Sequence, residues 1–116
     1  MDRYSCIFYT TLSGRSPVEE FIGSLSADCQ EKFIFKKELL ETCGPQLRFP
    51  HTEDLGKGIL ELRFKGCEGQ ARVLFFFFYG KRIVFTNGFI KKVQKTPQKE
   101  IDTAIARKSD YLERHR

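Results

Sequence analysis

The segment Arg72–Tyr79 reads Arg-Val-Leu-Phe-Phe-Phe-Phe-Tyr, an unbroken apolar run behind a single arginine. It has no helical period, and its aromatic and β-branched content fits a strand better than a helix. A strand that is apolar on both sides has to be covered on both faces, which places it in the middle of a sheet. We therefore take Ala71–Tyr79 as the central strand and read the rest of the chain outward from it.

Its neighbours follow from alternation and turn chemistry. Along Ile59–Phe64, Leu60, Leu62 and Phe64 lie on one side and Ile59, Glu61 and Arg63 on the other. Gly66 and Gly69 mark the turn that follows. Gly80-Lys81 predicts a two-residue hairpin with glycine at positive φ, and Arg82–Ile90 is the third strand. Upstream, Tyr4–Thr10 is a first strand rich in β-formers. Ser16-Pro17-Val18-Glu19 starts a short helix: serine as N-cap, proline first, glutamate three residues after the cap. Ser26 caps a longer helix that runs to Cys43, with a stripe of Cys29, Phe33, Leu40 and Cys43 joined by Ile34 and Leu39. Gly44-Pro45 stops it. Gln46–Lys57 reads as a loop. Thr96 caps a last helix opened by Pro97, with Ile101, Ala104, Ile105, Tyr111 and Leu112 at helical spacing. The order β-α-α-β-β-β-α describes a small single α+β domain over residues 1–116, an antiparallel sheet with helices packed on one face. Both sides of the central strand are apolar, so the pattern leaves open which face stays uncovered.

The charge narrows the partner. A formal net charge of +5 and a pI near 9.1 suit an anion: RNA, DNA or an acidic protein segment. The cysteines Cys6, Cys29, Cys43 and Cys67 lie far apart and form no Cys-x-x-Cys, which argues against zinc and against a disulfide framework. There is no phosphate-binding glycine loop, no dinucleotide fingerprint and no His-Glu-x-x-His. The carboxylates do not cluster as metal ligands, and no cofactor or metal is expected. The first residues hold no apolar signal segment and no stretch is long enough to span a membrane, so a cytoplasmic protein is expected.

What remains is a cationic site. Arg63, Arg72, Lys91, Lys92 and Lys95 are set into or beside the apolar meander. Metal-free cleavage of RNA uses the 2′-hydroxyl of the substrate as nucleophile. The protein then supplies fixed positive charge for the transition state and groups that move a proton. The planar fork of arginine matches phosphate oxygens, and lysine can carry a proton when neighbouring cations disfavour its charge. On a strand, Lys91 and Lys92 point to opposite faces. The blander alternatives stay open: Arg63 paired with Glu61, Lys91-Lys92 as a charged strand exit, His51 as a surface residue, Glu53-Asp54 as a solvated loop pair.

These residues carry a resemblance. The segments Gly58-Ile59-Leu60-Glu61-Leu62-Arg63-Phe64, Ala71-Arg72-Val73-Leu74-Phe75 and Gly88-Phe89-Ile90-Lys91-Lys92-Val93-Gln94-Lys95-Thr96-Pro97 resemble the HigB-like, phage-derived branch of the RelE/ParE toxin superfamily. The resemblance spans roughly residues 3 to 112. It implies a type II toxin with a curved RelE-like sheet, acting as a ribosome-dependent, metal-independent mRNA endonuclease. Other members of the superfamily inhibit DNA gyrase without cutting anything, which is the alternative. It also implies a cognate helix-turn-helix antitoxin (HigA-like) and contact with the ribosome and mRNA. By the same resemblance Arg72 matches the arginine that contacts the reacting phosphate, Arg63 matches the cation of the preceding strand, and Lys91, Lys92 and Lys95 stand where relatives place Arg, Tyr, Asp or His; all five are the expected catalytic residues. Lys65 and Arg82 join Arg63 and those lysines as expected RNA contacts.

Overall fold

A computed structural model describes residues 3–116. In chain order the elements are β1 (Ser5–Phe8), α1 (Pro17–Gly23), α2 (Ala27–Cys43), a single 3₁₀ turn (Gly44–Gln46), β2 (Thr52–Gly56), β3 (Ile59–Gly66), β4 (Gly69–Phe78), β5 (Arg82–Lys91) and α3 (Gln98–Arg114). All five strands join one sheet in the order β1-β5-β4-β3-β2. The β4 strand is central, as the apolar run requires.

The α+β class holds, with three differences of detail. First, the sheet is mixed rather than purely antiparallel. β1 runs parallel to β5, while β2, β3, β4 and β5 pair antiparallel in succession. The long excursion through α1, α2 and the β2–β4 hairpins separates β1 from β5 and permits the parallel edge. Second, part of the expected loop Gln46–Lys57 is strand β2. Thr-Glu-Asp-Leu-Gly has poor strand propensity, and it pairs because Lys57 (φ 56°) and Gly58 (φ 78°) close a tight turn onto β3. Third, the helices lie on both faces. Val18, Phe33 and Leu40 pack with Leu62, Phe64, Val73, Phe75 and Phe85 on one side. Ala104 and Tyr111 of α3 pack with Ile59, Leu74, Phe76 and Val84 on the other. Consecutive residues of β4 thus serve opposite cores, which is what a strand apolar on both sides demands.

Local chemistry sets the helix ends. Ser26 caps α2, its Oγ accepting from the Cys29 N–H, and the Glu68 carboxylate of the β3–β4 turn accepts from Ser26 N–H and Oγ–H. That link ties the start of α2 to the hairpin. Ile34, expected in the buried stripe, is more than half exposed, because only Cys29, Phe33 and Leu40 face the sheet fully. On the same face Gly88 lets α1 close on β5, since any side chain there would collide with the Phe21 ring. The α3 helix is pinned by polar contacts: Tyr9 Oη donates to Asp110 at 2.6 Å, Asn87 Nδ2 to Glu100 Oε1 at 3.0 Å, and Arg107 Nη1 to the Thr86 carbonyl at 2.8 Å. The last turn of the meander is a three-residue connection, Tyr79–Lys81, with positive φ at both Gly80 and Lys81. Tyr79 itself is 84% exposed and outside the strand.

Burial on both faces gives a direct test. Phe75→Asp and Phe76→Asp should each abolish cooperative folding, since an unpaired buried carboxylate costs several kcal/mol of a total of about 5–15. Denaturant melts followed by circular dichroism check both. Tyr79→Asp, outside both cores, should shift the midpoint by no more than about 0.5 kcal/mol.

Candidate functional site

The site lies where β3, β4 and β5 pass beyond the start of α3. Cross-strand register sets Arg63 directly opposite Arg72, Phe89 opposite Arg72 on the other side, and Lys91 opposite Gln70. Side chains paired in this way share a face. Glu61, Arg63, Gln70, Arg72, Phe89 and Lys91 therefore form one continuous patch on the α3 side of the sheet. An open cleft of about 640 Å³ sits over it, with Arg63, Arg72, Lys91 and Lys92 in its walls. A second hollow of about 320 Å³ shares Arg63 and Lys91 and reaches Lys95 and Thr96.

Arg72 is only 2% exposed and Glu61 1%. They form a buried ion pair, Nε to Oε2 at 3.6 Å, too long for a hydrogen bond. The rest of each group is held. Arg72 Nη1 donates to the Ala71 carbonyl and Nη2 to the Gln70 amide oxygen Oε1 at 2.7 Å. Glu61 Oε1 accepts from the Thr96 hydroxyl at 2.7 Å. Thr96 therefore does not cap α3 as expected. Pro97 takes the cap position and the Thr96 side chain turns back to the sheet. Burial, and then Arg63 opposite, pull the Arg72 guanidinium below its usual value, while Glu61 and Glu53 oppose that shift.

Arg63 does not pair with Glu61. It donates through Nη1 to Glu53 Oε1 of β2 at 2.8 Å and lies over the Phe49 ring, 5.0 Å from its centroid. Glu53 is thus a half-exposed strand residue paired to the site and not a free loop charge. Asp54, its neighbour, closes the next turn by accepting from the Gly56 N–H.

The structure brings Arg63, Arg72, Lys91 and Lys92 into one cleft, with Lys95 beside it. Lys91 and Lys92 do not diverge to opposite faces, because β5 ends at Lys91 and the chain turns there. Lys65 pairs with Gln70 and so lies on the face of the patch, two residues beyond Arg63. Arg82 is not part of the group. It starts β5 at the opposite end of the sheet and lies over Phe78.

Two further groups come close without any sequence signal beyond their charge. Lys36 of α2 donates from Nζ to His51 Nδ1 at 2.8 Å, and His51 gives its carbonyl to the Arg63 N–H. Burial and Lys36 hold His51 below its ordinary value, and burial and Arg63 do the same to Lys36. Among the described residues no group of three or more His, Cys, Asp or Glu is placed to hold a metal ion. No helix among them is long and apolar enough to cross a membrane.

Residues 20–109 match the family described as Phage derived protein Gp49-like (DUF891). The chain belongs to that family. It is a family associated with RelE-type toxins and is toxin-like in phage-derived toxin–antitoxin contexts, where an antitoxin is the partner. No curated protein matches the chain.

Two outcomes follow from the geometry. Arg72→Ala leaves Glu61 buried without its counter-charge, and should cost about 3–5 kcal/mol in a denaturant melt. Replacing both together, Glu61→Leu with Arg72→Met, should cost far less, because no bare charge remains. The second outcome concerns pH. His51 binds its proton less readily folded than unfolded, so the unfolded chain takes up more protons and stability rises with pH. Acidification from the ordinary histidine value of 6.5 downward should therefore lower the unfolding midpoint. His51→Gln should flatten that part of the profile.

Proposed function

We propose that this protein is the toxin of a type II toxin–antitoxin pair, on the HigB-like branch of the RelE/ParE superfamily, and that it cleaves mRNA on the ribosome without a metal. The observation that carries the reading is the cleft itself: two arginines face each other across adjacent strands, with two lysines in the same walls. Lys91 and Lys92 have no carboxylate partner among the described residues, so the cleft has positive charge to spare for a polyanion.

The chemistry uses the substrate's own nucleophile. The 2′-oxygen attacks the adjacent phosphorus and loses its proton. The bond from phosphorus to the 5′-oxygen breaks, and that oxygen takes up a proton. The products carry a 2′,3′-cyclic phosphate and a 5′-hydroxyl, so no bond order or charge is left unbalanced. Arg63 and the two lysines face the phosphate from the open side. Arg72 adds its field from behind them, in a partly dry site where charge acts most strongly on the phosphorane-like transition state. The amines of Lys91 and Lys92 are the proton carriers in this reading. Glu53 and Glu61 hold the two arginines in place and touch no substrate. The site of action is the cytoplasm, on the ribosomal decoding site, and a helix-turn-helix antitoxin covers the cationic face.

Controlled expression in bacteria, with mapping of mRNA 5′ ends, tests this. Wild-type protein should generate new 5′-hydroxyl ends and stop translation. Arg63→Ala should lower cleavage per folded molecule about 10²–10³-fold, the scale of one lost electrostatic contact in a transition state. Arg72→Lys, which keeps a partner for Glu61 but loses the planar fork, should lower it less. Growth arrest with no new ends and a loss of negative supercoiling would replace this reading with gyrase inhibition.

A further inference from the structure

We propose that the outer edge of β3 carries a second nucleic-acid lobe, built from Lys32, Lys36 and Lys65, which takes single-stranded RNA leaving the Arg63–Lys91 cleft. The inference deepens the reading above and rests on it. The β2 strand pairs with β3 only as far as Leu62, and the Arg63 N–H is taken by the His51 carbonyl. Beyond that point no strand flanks the outer edge of β3, the edge away from β4. A hollow of about 360 Å³ opens there between α2 and the β3–β4 hairpin. Lys32 and Lys36 reach it from α2, and Lys65 from β3. Arg63, Gln70 and Arg72 line both this hollow and the main cleft, so the two are one groove bent around a sheet edge.

The lobe is short of negative charge. Lys65 has no carboxylate partner among the described residues. The contact of Lys36 is a histidine ring nitrogen, and Lys32 has only Asp28 at 3.8 Å on the surface. Cations gathered without counter-charges suit a chain of phosphates. Next to the shared Arg63 stands Phe49, 70% exposed, which carries the Arg63 guanidinium over its ring and lines a neighbouring hollow. A basic track with an accessible aromatic face is the signature of single-stranded nucleic acid, because every base offers a face to stack. An acidic peptide would use the charge and leave the ring unused.

The experiment uses fluorescein-labelled 2′-O-methyl RNA, which cannot be cleaved because its 2′-oxygen is blocked. Oligomers of about four and about twelve nucleotides, spanning the usual range of single-strand sites, are titrated by anisotropy at several salt concentrations. The variant is Lys32→Gln with Lys65→Gln, both on the surface. Expected for the variant are a roughly tenfold loss of affinity for the long oligomer and a salt slope shallower by about 1.4, two phosphates at 0.7 each. Binding of the short oligomer should stay unchanged. Phe49→Ala should also weaken the long oligomer, whereas polyglutamate should compete poorly. The lobe is overturned if the variant binds both lengths like wild type, if both lengths weaken equally, if polyglutamate competes as well as RNA, or if wild type binds neither length. An unchanged melting temperature checks the variant's fold, and Lys65→Gln alone replaces it if the pair melts early. The outcomes separate the two claims. Length-dependent binding that needs Lys32 and Lys65, with no cellular mRNA cleavage, keeps the lobe and removes the nuclease. Cleavage with no effect of the two lysines does the reverse.

Discussion

Two guanidinium groups stand directly opposite each other on β3 and β4, and the rest of the site exists to make that tolerable. Like charges facing across a strand pair repel. Here each is met by a carboxylate from a different place: Glu53 from β2 for Arg63, Glu61 from β3 for Arg72. The Arg72–Glu61 pair is fully buried, and burying ions is costly unless their remaining groups are bonded. Gln70, the Ala71 carbonyl and Thr96 supply most of those bonds. Glu61 Oε2 and Arg72 Nε remain without a hydrogen bond, facing each other. The site is therefore assembled from β2, β3, β4 and the segment before α3, and none of these could be removed without exposing a charge.

The second constraint is a single extra residue. In the β4–β5 ladder Phe75 pairs with Phe85 and Leu74 with Asn87, leaving Thr86 as a bulge. Before the bulge the odd residues Ile83 and Phe85 face the α1–α2 core, and Val84 faces α3. After it the parity reverses: Phe89 packs on the α3 side and Ile90 on the other. Lys91 consequently joins Arg72 instead of lying on the opposite face. The bulge is held by Thr86 Oγ1 donating to the Leu74 carbonyl, and its own carbonyl accepts from Arg107. A local kink next to a site, re-aiming one side chain, is a common use of such bulges.

Much of this was legible in the residues. The two-sided run at Val73–Phe78, the alternation of Ile59–Phe64 and the Ser26 cap of α2 translate directly into the observed elements, whereas α1 starts at Pro17 as expected but the Ser16 side chain makes no capping hydrogen bond. The cations Arg63, Arg72, Lys91 and Lys92 could be singled out because charge within an apolar meander needs a partner. Their partners could not. Glu53 belonged to a stretch with no strand pattern, and β2 forms only because β3 offers it an edge. Lys36 and His51 looked like ordinary surface groups, since their closeness to Arg63 depends on how α2 lies against the hairpin. Arg82 looked like its sister cations and ends up at the far end of the sheet.

The sequence by itself determined the class of fold, the central strand, the start of α1, both ends of α2 and the excess of positive charge. Each depends on short-range rules: a period of two or of 3.6, a cap, a glycine turn. Tertiary structure alone decided which charges meet. It set the register that opposes Arg63 to Arg72, the bulge that turns Lys91 toward them, and the packing of α3 on the second face. Those depend on pairing between segments far apart in the chain, where one residue of slip moves every side chain to the other face.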